Sequence, residues 1–570
     1  MIVLGLNHGE LNSSAALTID GRIVAAAPEE RFSRQKKTRA FPTAAVHYCL
    51  EEAGLSSLSD CDAVAQSWNP GAAWIKYNPL ISEFRVRRED NFYAVSDHLL
   101  GFLDRRPPEW VRLDSSEESD LPPVYHIQHH RTHAANGFYL SGFEEAAVLT
   151  ADWRGELETT TMGVGRNTKL ETLATQSLPH SLGLFYATFT ELLGYRPDND
   201  EWKVMALSAF DVDCGRHSQA IRETIRLLDN GMFELDQRFF KGTMTDQPKL
   251  YTPALVEALG GREGDPGAEP DEWYYSVARA MQMVAEEVAI HMLNHLHAST
   301  GLSKVVLSGG FFMNSVLNGK VTDLTPFDEV FISHSPADVG NSIGAALYVT
   351  HHVNGVQREN EFATSYLGPS YSDEEIQTSL ERRQICYQKV SNPEEMVADL
   401  LSQGSIVAVL NGRMEFGERA LGNRSILADP RSPDMMHRVN AMIKYREAYR
   451  PFAPAILAER ATDYFEVDTG FESNYMERVV SIRPEVRADI PAVTHVDGSG
   501  RIQTVNRSHN PDFHSLISAF EARTGIPVVL NTSFNINGEP IVSSPDDALN
   551  TFFNSGLRHL MLGPFLVQKE

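Results

Sequence analysis

The sequence predicts an α/β protein of two domains, the first built by tandem duplication. Two observations carry this. An apolar strand, a polar turn and a hairpin open the chain at Ile2, and the same order returns at Ala146. A polar, irregular stretch at 354–364 then separates that half from a second series of strand and helix signals. At 570 residues the chain exceeds what one core serves, and the expected domains are 1–355 and 356–570.

Composition narrows the function classes. There are 76 Asp and Glu against 50 Lys and Arg, a net charge of −26. Such a chain lacks the basic stripe of a general nucleic-acid binder and suits a non-adhesive enzyme. Cys49, Cys61, Cys214 and Cys386 show no paired spacing, so neither a disulfide frame nor a zinc knuckle is indicated. No apolar run approaches the ~20 residues of a membrane helix, and the start, Met-Ile-Val-Leu-Gly, has no basic leader. The expectation is a cytoplasmic protein without nucleic-acid or membrane partners.

The strand at 2–6 runs into a polar loop holding His8 and Gly9, and strands at 15–19 and 23–27 flank an Asp20-Gly21 hairpin turn. His129 and His133 are four apart, which puts both imidazoles on one helix face. The apolar run 146–150 reads as a buried strand ending in Asp152. A carboxylate at a strand end facing two helical imidazoles makes a metal site, although histidines at this spacing also occur as surface or capping residues. Strands at 159–164 and 170–174 around a turn at 165–167 complete the second copy. The repeated plan fits the duplicated ribonuclease-H-like fold of actin-like ATPases and sugar kinases, in which each repeat's first turn points into a nucleotide cleft.

Further pieces suit that cleft. The strand 304–307 leads to Gly309-Gly310, which lets backbone approach a nucleotide, and to Asn314 and Asn318 on a following helix. The strand 330–332 leads to Asp338, placed either to cap the small-residue helix at 342–348 or to bind metal. Lys203 stands among acids, a surface pattern, yet precedes an apolar turn and is a candidate for reaching a phosphate. Residues 211–275 read as an insertion over the cleft, and 276–296 as an amphipathic core helix.

In the second domain, residues 413–450 carry eight Lys and Arg, among them Arg419, Arg424, Lys444, Arg446 and Arg450, against five Asp and Glu. Arginines beside glycines suit a small phosphorylated ligand, a salt-bridge network being the alternative. Arg446 and Arg450, four apart, can share a helix face. The strand 527–530 delivers Asn531-Thr532-Ser533-Phe534-Asn535, whose amides and hydroxyls suit a carbamoyl or phosphoryl group.

His129-His130-x-x-His133-Ala134, Gly309-Gly310-x-x-x-Asn314, the 413–450 block and Asn531-Thr532-Ser533-Phe534-Asn535 together resemble the NodU/CmcH family of O-carbamoyltransferases over nearly the whole chain. Such enzymes look like fusions of an actin-like domain, similar to the tRNA threonylcarbamoyladenosine transferase, with a YrdC-like α/β domain. The resemblance implies transfer of a carbamoyl group from carbamoyl phosphate, with ATP and through carbamoyl-adenylate, to a hydroxyl of a small natural product such as an antibiotic. It implies a divalent metal, iron, on His129, His133, Asp152 and Asp338. It places the nucleotide at Gly310 and Asn314, beside which Lys203 and Gly309 are candidates from their own pattern. Carbamoyl phosphate falls to Arg419, Arg446, Arg450 and Ser533, with Arg424, Lys444 and Asn531 as further candidates from the same stretches, and a homodimer is compatible with it. Two departures stand out. Leu11 occupies the place of the family's histidine, leaving His8 as the histidine of the first turn to act as base. Glu418 replaces the family's proline before Arg419, either weakening phosphate binding or pointing outward. A tRNA threonylcarbamoyl transfer enzyme and an inactive nucleotide-binding module are the competing readings.

Overall fold

The computed structural model describes residues 1–9, 12–69, 109–115, 120–241, 249–358, 364–447 and 449–569. Glu10, Leu11, residues 242–248 of the expected insertion, residues 359–363 of the expected linker and Ala448 lie outside them.

The duplication is visible in strand order. β1 (Ile2–Asn7), β2 (Ser14–Ile19) and β3 (Arg22–Pro28) form an antiparallel meander, with Asp20 and Gly21 at positive φ in its first hairpin. β4 (Ala63–Gln66) lies parallel to β1, and β5 (Trp110–Leu113) and β6 (Val124–Ile127) complete a sheet ordered β3-β2-β1-β4-β6-β5. The second copy repeats this with β7 (Glu145–Ala151), β8 (Glu158–Arg166) and β9 (Lys169–Ser177) as meander. Past a small hairpin of β10 (Ile225–Leu227) and β11 (Phe233–Leu235), β12 (Lys304–Ser308) and β13 (Glu329–Ile332) join in the order β13-β12-β7-β8-β9. Each half is therefore a meander followed by two strands parallel to its first, β4 and β6 in one and β12 and β13 in the other, with β5 added antiparallel at the edge of the first sheet, as the actin-like expectation requires.

The helix after β6, His129–Leu140, and the helix after β13, Asn341–Leu347, meet between the sheets. One apolar cluster joins Val3 and Ala65 of the first sheet, Val148 and Val306 of the second, and Phe138, Ile343 and Ala346 of these helices. Their approach depends on Gly344, where a Cβ would lie 2.0 Å from the Thr132 carbonyl oxygen. Gly344→Ala is expected to cost about 1–3 kcal/mol or more through forced displacement of one helix, read as a lowered denaturant midpoint. The same packing holds the histidine-bearing helix in place, so metal affinity should fall with it.

The helix Glu272–Thr300 is capped by the Asp271 side chain and ended by Gly301 at φ +67°. Ile221, Phe233, Phe240 and Leu255 of the expected insertion pack with this helix, and no described residue of 211–275 lines the central cavity. The described part of the insertion thus enlarges the core instead of covering the cleft.

The second domain is a mixed nine-stranded sheet. It is built from β14 (Gln388–Lys389), β15 (Val407–Leu410), β16 (Arg424–Ala428), β17 (Ala453–Leu457), β18 (Arg478–Ser481), β19 (Ser499–Val505), β20 (Val528–Ser533), β21 (His559–Leu562) and β22 (Phe565–Gln568). The helices Pro393–Ser402 and Pro511–Thr524 bury Leu401 and Phe520 on one face. Ile376, Leu549 and Phe552 belong to the core on the other face. Helices thus cover both faces of this mixed sheet, the α/β class expected of the second domain. The domains are stitched together by Arg31 donating to the Gly417 carbonyl (2.7 Å), Arg34 to those of Pro540 and Ile541, and Asn318 to that of Glu477.

Candidate active site

Four predicted ligands converge. His129 and His133, one helical turn apart and buried, point Nε2 at each other (3.0 Å). Asp152, directly after β7, brings Oδ2 to 3.2 Å from His129 Nε2 and 3.0 Å from His133 Nε2. Asp338 Oδ1 lies 3.3 and 3.4 Å from the same atoms. Asp338 opens a short 3-10 turn and makes no capping bond, so its carboxylate is spent on this cluster. Separations of this size are the edges that bonds of roughly 2.0–2.2 Å to one shared ion generate, and the donor set suits a first-row divalent metal. Burial opposes charge on His129, but Asp338 and Asp152 outweigh it and raise its pKa well above 6.5. His130, bonded to Thr150 Oγ1 (2.7 Å) and the Glu158 carbonyl, is held neutral by burial and packs behind the cluster.

A cavity of about 1640 Å³ runs from His129, Asp152 and Asp338 to the second domain. There it meets Arg419, Lys444, Arg446, Arg450, Arg501, Asn531 and Ser533. Arg446 and Arg450 reach it from a loop, not from one helix face, because Tyr445 turns left-handed (φ +45°) and ends the preceding helix. Arg446 donates to Asn440 Oδ1 (2.8 Å) and stacks on Phe452, and Arg450 lies 3.4 Å above the Trp202 ring. Lys444 donates to the Asn535 carbonyl (3.0 Å) and to Ser533 Oγ (3.3 Å). Burial pushes the Arg501 pKa well down, and Arg419, Arg446 and Arg450 push it further. Four guanidinium groups sharing one wall suit a small anion.

Not every candidate residue reaches the cavity, and some that do are already engaged. Arg424 is fully buried under this wall, bonded to the carbonyls of Pro369, Asn411 and Ser543, and does not line the cavity. Gly309 (φ +102°) faces β7, where a Cβ would lie 2.1 Å from the Ala151 carbonyl oxygen, while Gly310 does line the cavity. Asn314 borders the cavity, but its amide caps Leu317 N–H and pairs with Gln282. Lys203 also borders it, held between Glu447 (2.8 Å) and Asp200 (3.3 Å). His8 packs edge-on against Phe41 (5.1 Å between ring centres) and is not among the lining residues. Glu418 does not point outward, and no described arginine forms a hydrogen bond with it, although Arg419 and Arg31 act on its charge. Its carboxyl oxygens are buried without a partner on the cavity wall, and burial pushes its pKa up to about 7.

Among the lining residues that escaped the sequence reading, Arg501, His495 and Asp198 bear most on the chemistry. Arg501 had a signal, since it follows Gly498 and Gly500 in the pattern that drew attention to the 413–450 block. His495 had none. Its Nδ1 is 3.1 Å from Ser499 Oγ, its Nε2 is buried without a partner, and burial lowers its pKa to about 4.

A family model described as the carbamoyltransferase N-terminus matches residues 3–347, and one described as the carbamoyltransferase C-terminus matches residues 398–569. The chain belongs to the carbamoyltransferase family. An uncharacterized protein of Synechocystis is 36% identical over 100% of this carbamoyltransferase and 96% of its own length. The nodulation protein NolNO of Sinorhizobium fredii is 34% identical over 98% of this chain and 79% of its own. The 3'-hydroxymethylcephem-O-carbamoyltransferase of Amycolatopsis lactamdurans is 30% identical over 68% of each. No helix among the described residues of this carbamoyltransferase is long and apolar enough to cross a membrane.

Proposed function

We propose that this enzyme moves the carbamoyl group of carbamoyl phosphate to a hydroxyl of a small natural product, using ATP and passing through carbamoyl-adenylate. The observation that supports it most is the single cavity joining a four-donor metal cluster to a wall of arginines. Arg419, Arg446, Arg450 and Arg501, with Lys444 and Ser533, hold the phosphate of the donor. The free Oδ1 of Asn531 accepts an N–H of its carbamoyl group. The nucleotide lies along Gly310 toward the metal cluster, where Lys203 and Asn314 shape the wall. A divalent ion on His129, His133, Asp152 and Asp338, which we assign as iron, would offset the charge of the nucleotide phosphates. The name of the cephem relative supports a small alcohol as acceptor. A net charge of −26 disfavours tRNA.

With carbamoyl phosphate and ATP, the purified enzyme is expected to release AMP and pyrophosphate in equal amounts, and neither without carbamoyl phosphate. ADP and phosphate as the products would contradict the reading, and no turnover at all would favour an inactive nucleotide-binding module.

A further inference from the structure

Carbamoyl transfer to an alcohol needs a base at the acceptor oxygen, and His8 is not on the cavity wall. We infer that Asp198 takes the proton from the acceptor hydroxyl, an inference that rests on the transfer reading above.

Asp198 lines the cavity from the turn between the helices Leu182–Leu192 and Glu201–Leu207. Its backbone is left-handed (φ +60°), a conformation sparsely used by residues other than glycine and often found at functional positions. Two bonds fix it there: the N–H donates to Glu201 Oε1 (2.7 Å) and the carbonyl accepts from Lys37 Nζ. Both bonds use main-chain atoms, and no described residue donates to the carboxyl group. Its neighbours in the acidic run are engaged. Asp200 accepts from Arg196 N–H and from Asn199 and pairs with Lys203, while Glu201 holds Asp198 itself. Asp198 lines the same cavity as His129, Asp152 and Asp338, and the charges that act on its carboxyl include Glu201, Lys37, Asp152 and Asp338. Burial, then Glu201, pushes its pKa up to about 7, a value matched to proton transfer near neutrality.

In the step, the acceptor oxygen forms a bond to the carbamoyl carbon as its proton passes to the Asp198 carboxylate. The bond from that carbon to the phosphate oxygen breaks, and AMP leaves with the electron pair. Asp198 then releases the proton to solvent through the cavity.

The test compares wild type with Asp198→Asn, which tolerates the left-handed backbone but cannot take a proton. Water and 1 M glycerol (about 1 M suffices to saturate a weak hydroxyl site) are the hydroxyl probes, and hydroxylamine is a nucleophile that needs no base. Rapid quenching follows pyrophosphate formation, enzyme-bound carbamoyl-adenylate and AMP release. Asp198→Asn should form pyrophosphate as wild type does, accumulate carbamoyl-adenylate, and release AMP about 10²–10⁴-fold more slowly. Hydroxylamine should restore release, and Asp198→Glu should recover part of the rate. Equal decay of the adenylate in wild type and Asp198→Asn would overturn the inference. Loss of pyrophosphate formation in Asp198→Asn alone would overturn it too, by assigning Asp198 to nucleotide binding. No pyrophosphate in wild type would instead overturn the functional reading beneath it.

Discussion

His133→Ala is expected to leave the protein without bound metal and without turnover. The side chain is fully buried, and its Nε2 stands within 3.4 Å of His129, Asp152 and Asp338. Loss of groups that merely orient ligands costs about 10–100-fold in metal affinity, so loss of a donor should exceed that. Removal also leaves Asp152 and Asp338 with one imidazole between them. Elemental analysis after gel filtration measures metal content, and the AMP assay measures turnover. Full metal content in His133→Ala would place the ion elsewhere.

Arg501→Met is expected to move stability and binding in opposite directions. Arg501 is half-buried on the cavity wall with Arg419, Arg446 and Arg450 acting on its charge, its Nε is buried without a partner, and no described carboxylate pairs with it. Folding the free protein therefore works against this charge, as it does for any unpaired buried ion. Methionine, similar in length and apolar, should raise the melting temperature in the absence of ligand. The same change removes a charge-assisted bond to phosphate worth about 1.5–3 kcal/mol. Carbamoyl phosphate affinity should then fall about 10–150-fold. Phosphate added to wild type should raise its melting temperature more than that of Arg501→Met. A variant both less stable and normal in affinity would mean that Arg501 braces the fold.

Glu418 gives a pH signature. Its folded pKa, about 7, is raised above the ordinary 4.5, so the unfolded chain gives up the proton first. The stability associated with the protonated carboxyl is complete below about pH 4.5 and is lost as pH rises toward 7. Glu418→Gln should flatten that decline in the difference between the two melting curves. Identical pH profiles for both proteins would show that the carboxyl gains a partner in solution.

Much of the site could be read from local patterns. The pair His129 and His133 needed only helical periodicity, and Asp152 only the end of an apolar run, because strand ends in this fold point at the cleft. Asp338 was ambiguous, since a residue before a helix is a capping position whenever nothing else claims it. What the sequence hid depends on the third dimension. Arg424 and Arg419 are five residues apart in one basic stretch, yet the first opens β16 and is fully buried while the second lines the cavity. The spacing of Arg446 and Arg450 implied a shared helix face, but the left-handed Tyr445 ends the helix before either. His8 was favoured by residue type alone, whereas Pro197-Asp198-Asn199 announced a turn, since Asp and Asn tolerate left-handed backbone, but not that the turn opens on the cavity.

Diffraction from crystals soaked with carbamoyl phosphate and a non-hydrolysable ATP analogue tests the central claim most directly, because the two ends of one cavity are observed together. An anomalous peak bonded to His129, His133, Asp152 and Asp338, with phosphate density against Arg419, Arg446, Arg450 and Arg501, is the predicted result. Phosphate density confined to the metal cluster, with the arginine wall bare, would contradict it.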